Sequence, residues 1–185
     1  MVVLGDSAAT LSVLARTRIE LIDAKDREAK QPYHAVEFLC AEEAAGRLRG
    51  YLETATAMAG SAIGAQCAIL EEHGYRVRSI GILDSAARNA SSLSAILASH
   101  ALIHAADGNH FRNALSAAAE LHGLSVHRMP ARHLEDHAVD QLHLPLKRLL
   151  GTVNDLGRQV GPPWGADQKK AALLAWTLLP MPPRV

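Results

Sequence analysis

Residues 41 to 72 (AEEAAGRLRGYLETATAMAGSAIGAQCAILEE) carry apolar side chains at three- and four-residue spacings, the signature of one long helix. It opens on the acids Glu42 and Glu43, which suit the positive end of a helix, and Gly74 stands ready to cap its far end. Gly60 and Gly64 predict a kink or close packing against a sheet. A helix of this length divides the chain, because strand-like sequence precedes it and alternates with helices after it.

Ahead of the helix, MVVLGD and TLSVLART read as short strands around a turn, and RIELIDAKD, with its alternating apolar and polar residues, as a third. Pro32 breaks any helix entering QPYHAVEF, which suits a short edge strand or a helix approach. Beyond Gly74, RVRSIGIL (76–83) reads as a strand. A helix follows, started near Asn89 or Ser91, then a second helix from GNHFRNAL to Gly123. LSVHRMP is a strand ended by Pro130, residues 131–160 are helical, GPPW breaks the chain at 161–164, and ADQKKAALLAWTLL is a final helix. Three leading strands form an antiparallel meander; later strands separated by helices join it in parallel through crossovers. The expected architecture is therefore α/β, a mixed five-stranded sheet with helices on both faces, in one domain spanning residues 1–185.

Composition narrows the function classes. Of 185 residues, 49% are hydrophobic, enough for one core. Lys plus Arg and Asp plus Glu balance at 19 each, so no overall basic excess marks a dedicated nucleic-acid binder, although a local groove can still be basic. Zero net charge favours self-association, and a homodimer is compatible with it. Cys40 and Cys67 form no metal or redox motif and fit a reducing compartment. MVVLGDSAAT lacks the pattern of a signal peptide, and the apolar runs are too interrupted to span a membrane, so the expectation is a cytoplasmic protein without a membrane partner.

The order of elements resembles the ribonuclease H-like superfamily, in particular its Holliday-junction resolvase (RuvC-like) branch. Asp6 in VVLGDS matches the acid that ends the first strand there, and Asp167 in GPPWGADQKKAALLAW matches the acid entering the last helix. Asp84, after RSIGIL, is the nearest acid to the fourth-strand position. The resemblance implies divalent-metal-dependent phosphodiester cleavage on nucleic acid, with Mg2+ or Mn2+ held by Asp6 and Asp167 and with Asp84 or Asp107 as the third carboxylate. Lys170 departs from the pattern, since a second acid often stands there and a cation competes with a bound metal. That departure motivates an alternative, a non-catalytic protein of the same fold that binds a partner or a small anion.

Histidine is the compositional outlier. Eight of ten lie between His100 and His143, and three fall in SHALIHAADGNHFRNAL, residues 99–115. His100, His104 and His110 share the spacing of a zinc-protease motif, but Ala101 replaces its general base and Gly108 falls one residue late. His100 and His104 share a helix face, and Asp107 continues it, so a zinc or iron site from these two with Asp107 or His110 is a further alternative. ADGN also reads as a break between two helices. A following helix that starts near Asn109 would present free N–H groups to an anion, with Arg112, His104 and His100 as contacts to a substrate phosphate. The plainer reading is a satisfied junction in which Asp107 or Asn109 caps the next helix and Arg112 pairs with Asp107.

Overall fold

The structure, a computed structural model, describes residues 1–7, 10–85 and 92–180. The chain opens with a hairpin of β1 (Val2–Ser7) and β2 (Thr10–Arg16). The two strands pair antiparallel, with a register shift between Val3 and Leu4. Helix α1 (Pro32–Ala35) and the long α2 (Ala41–Glu72) follow. Then come β3 (Ser79–Asp84), α3 (Leu93–Leu97), α4 (His100–Leu121) and β4 (Ser125–Pro130). Three helices complete the fold: α5 (Leu134–Leu142), α6 (Leu146–Val160) and α7 (Ala166–Thr177). None of the described helices is long and apolar enough to cross a membrane.

The expected five-stranded mixed sheet does not form. The described strands make two separate two-stranded sheets, β1 with β2 antiparallel and β3 with β4 parallel. The stretch RIELIDAKD is not a strand, because its acids bind the local backbone. Asp23 Oδ1 accepts from Lys25 N–H (2.9 Å), and Asp26 Oδ1 accepts from Glu28 and Ala29 N–H (both 3.1 Å). Such Asx turns satisfy donors that a ladder needs. The alternation of the stretch survives as partial burial of Ile19 and Leu21. Helix α7 packs against both β1 and β3 and so joins the two sheets where no strand pairing does.

The core has three parts. The largest gathers Leu4 with Leu134, Leu149, Val153 and Leu173 from α5, α6 and α7. A second lies between α2 and α4, around Ala59, Ile63, Ala118 and Ala119. Gly60 and Gly64 pack there against a helix, not a sheet. The His122 ring lies over them, its Nε2 2.8 Å from the Gly60 carbonyl, so a Cβ at Gly64 would meet the ring at 2.8 Å. The third part holds α1 to the start of α2 through Val36, Ala44 and Leu48.

Pro32 starts α1 instead of breaking it: at the first helical position its missing N–H costs nothing. The expected junction at ADGN is absent, and α4 runs unbroken through Gly108. One glycine costs a helix only about 1 kcal/mol, and packing on both sides of α4 outweighs it. The turn between helices falls earlier, after α3, whose cap is Ser92 accepting from Ala95 N–H (3.2 Å). Asn89 and Ser91 lie outside the described residues.

Candidate metal centre

His100, His104 and Asp107 stand along one stripe of α4, as the three- and four-residue spacings require. Helix α1 packs on that stripe and brings His34 to it. The junction is fastened by Asp107, which is 7% exposed. Its Oδ1 accepts from Tyr33 N–H at 2.7 Å and its Oδ2 meets His34 Nδ1 at 2.5 Å. An ionised carboxylate only accepts, so His34 carries its proton on Nδ1. Its Nε2 is left with a free lone pair.

The three imidazoles converge. His100 Nε2 and His104 Nε2 are 3.1 Å apart, and the His34 ring centroid lies 4.4 Å from that of His104 and 5.3 Å from that of His100. One ring nitrogen from each of the three lies within 4.8 Å of the other two, the one such cluster among the described residues. Three nitrogens on a tetrahedral zinc at roughly 2.0–2.1 Å stand about 3.3 Å from one another. The His100–His104 pair already has that spacing, and a ring nitrogen of His34 lies within 4.8 Å of both. His34 is half-buried while His100 and His104 are exposed, so the cluster opens to solvent on one side.

Imidazole nitrogen selects zinc, copper, nickel or iron over magnesium, which wants oxygen donors. The Mg2+ or Mn2+ expected from the sequence does not match this donor set. The hydrogen bond from the far ring nitrogen of His34 to Asp107 is the usual support of a ligating histidine, since it fixes ring orientation and tautomer.

Asp107 supports His34 and takes the free Tyr33 N–H in the first turn of α1; it caps no helix after ADGN and makes no pair with Arg112 among the described residues. Arg112 donates from Nε to the Leu83 carbonyl of β3 (2.8 Å) and from Nη1 to Asn109 Oδ1 (3.3 Å), so it is drawn to β3 whereas His100 and His104 are drawn to α1. No helix begins at Asn109, and the expected anion site of free N–H groups is absent there. Asp84 is clamped by Arg128, at 2.5 Å from Nη2 and 3.1 Å from Nε, and must release it before ligating an ion. Asp167 is exposed in the first turn of α7. Asp6 stands in β1 opposite Leu11, and its side chain lies outside the described part of the structure.

His110 is buried apart from the cluster. It is 5% exposed, its Nε2 has no hydrogen-bond partner, and its ring meets the edge of Tyr33 with centroids 6.2 Å apart. Burial holds its pKa below the usual histidine range, against an opposing hydrogen bond that the ring donates to the Tyr51 backbone carbonyl and the charge of Asp107. Burial and then Asp107 push the Tyr33 hydroxyl upward. The member of the cluster that sequence reasoning missed is His34. It stands far from the histidine-rich segment, and its only local sign is a position two residues past a proline that starts a helix.

No family model, curated protein or solved structure matches this chain.

Proposed function

We propose that this protein binds one divalent transition-metal ion of the kind imidazole nitrogen prefers, such as zinc, through His34, His100 and His104, with Asp107 holding His34 in register. The observation that carries this reading is the convergence of three ring nitrogens within 4.8 Å together with the buried Asp107–His34 hydrogen bond. Three imidazoles leave the fourth tetrahedral position to water, which gives the centre an open face for a further ligand. When bound, the ion supplies Lewis acidity and lowers the pKa of that water. This chain supplies the nitrogen donors, the fixed tautomer of His34 and a solvent-facing rim.

Metal-stripped protein titrated with ZnCl2 in a calorimeter should take up one equivalent. Loading with Co2+ should give the visible absorption of a tetrahedral nitrogen site. His34→Ala and His104→Ala should each abolish stoichiometric binding. Asp107→Asn should weaken it roughly 10- to 100-fold, the usual cost of losing such a support. Undiminished uptake in His34→Ala would place the ion elsewhere, and no uptake by the wild-type chain would end the reading.

A further inference from the structure

A cleft of about 1270 Å³ separates the two sheets. Five residues in a row from each side line it, Met1–Gly5 along β1 and Ser79–Leu83 along β3. Unbroken runs of this kind mean that the strands present their edges as well as their side chains. Among the described residues neither edge is paired across the cleft, since β1 bonds β2 and β3 bonds β4. Residues of α2 (Ile63, Leu70) and of α7 (Ala171, Ala175) wall the cleft together with Gln66 and Gln168, so its interior is more apolar than polar.

The directions of the edge groups follow from the register. Ser125 N–H donates to the Arg78 carbonyl and Ser79 lies opposite Ser125. In a parallel ladder this turns the N–H groups of Ile80 and Ile82 toward β4 and those of Ser79, Gly81 and Leu83 toward the cleft. The outward Leu83 carbonyl is taken by Arg112. On the other side, Met1 and Thr17 exchange both backbone bonds, at 2.7 and 3.0 Å, which turns the groups of Val2 outward. The outward peptide groups of β3 and those of Val2 in β1 therefore face one cleft.

Charge is one-sided. Arg16, Arg18, Arg76, Arg78 and Arg112 line the cleft, and none of its described lining residues is an aspartate or glutamate. Arg18 pairs with Glu20 at 2.6 Å, Arg16 holds the carbonyls of Gly161 and Pro163 at 2.7 Å, and Arg112 has only amide oxygens as partners. Arg76 and Arg78 are exposed and make no ion pair among the described residues.

The geometry points to this cleft as the docking site of an extended polypeptide segment with an apolar centre and acidic ends, added as a strand against the β1 and β3 edges. Open peptide edges call for another peptide backbone, because an acyl chain offers no hydrogen bonds and a nucleic acid has no matching ladder. The walls accept apolar side chains from both faces of such a strand. Arg76 and Arg78, leading into β3, meet its carboxylates.

The test uses a fluorescein-labelled decapeptide with a Val-Thr-Val-Thr-Val-Thr centre and two glutamates at each end. It should bind the full chain one to one, with or without zinc. Arg76→Gln with Arg78→Gln, both exposed and so compatible with folding, should weaken it about tenfold, as two surface charge contacts allow. On binding, hydrogen exchange should slow at the Ser79 and Gly81 amides while that at Ile80 and Ile82, already in the ladder, stays as it was. A peptide with prolines for its threonines should lose binding. Equal binding of that proline peptide, or of one with lysines for glutamates, would overturn the proposal. So would saturable binding of palmitate or oligo-dT in place of the acidic peptide, or a dimer of this chain that closes the cleft.

Discussion

His110 shows what a single buried polar atom does to this protein. Its Nε2 has no partner among the described residues, and burial lowers the pKa of the ring from the ordinary histidine value. The unfolded chain offers an ordinary histidine with a pKa of about 6.5. Above that pH both states are neutral and the native state has its full stability. As pH falls below it, the unfolded chain takes up a proton that the native chain refuses, and stability declines until the lowered native pKa is reached. His110→Phe keeps an aromatic ring beside Tyr33 and removes the titration. Urea unfolding at pH 7.5 and 5.5 should show a smaller loss on acidification in the variant than in the wild type. Equal losses would mean that His110 does not titrate differently on folding. Asp107, three residues away, is the opposite case: its charge is buried, but both oxygens are used. Its importance was visible in the sequence as an acid continuing a histidine face. Its partner was not, because local spacing says nothing about which distant helix packs on a stripe.

At the scale of elements, two glycines inside helices make contrasting demands. Gly108 interrupts a helical pattern, and the sequence reads as a break there. The helix continues because the pattern of buried residues continues, from Ile103 through Ala106 and His110 to Ala114. A Cβ at Gly108 would meet Arg112 Nη1 at 2.9 Å, an end group held only by its long 3.3 Å bond to Asn109, and a small shift of that group relieves the contact. Gly108→Ala should therefore be neutral or stabilising by up to about 1 kcal/mol. Gly157 in α6 lies under the Trp164 ring, whose Nε1 donates to the Val153 carbonyl at 3.0 Å. A methyl there collides with a ring that is tied down, and Gly157→Ala should cost about 1–3 kcal/mol. Thermal melts of the two variants should move in different directions, or one should stay still while the other falls. The long helix α2 was legible because its apolar spacing and its Gly74 cap are local. GPPW was legible as a break but not as the segment that Arg16 and Trp164 fasten down.

The molecule as a whole is two small sheets on a helical body, and α7 is the element common to both. Leu174 lies 3% exposed on α7, over Gly81 of β3 and in the same core as Leu4 of β1. A glycine at 81 leaves the depth in which Leu174 sits. Leu174→Ala should cost about 2–5 kcal/mol in chemical unfolding, as deletion of a large buried side chain does. It should also speed exchange of backbone amides in both sheets; an effect confined to one sheet would show that α7 does not couple them. Sequence periodicity identified β1, β2, β3 and β4 close to their places, yet the single sheet drawn from them was wrong. Alternation marks which residues of a strand face inward, not which edge finds a neighbour, and the Asx turns at Asp23 and Asp26 compete with pairing through hydrogen bonds that hydropathy cannot register.

The contact between α1 and α4 has a thermodynamic side. His34 and His100 are far apart in sequence, so an ion shared between them acts as a reversible staple across a long loop, in the way a disulfide restrains an unfolded chain. A ligand at a hundredfold excess over its Kd adds about 2.7 kcal/mol to the native state. The melting temperature of this protein would then report the free metal concentration around it, and chelation would loosen the amino-terminal third of the chain before the helical body of α5, α6 and α7.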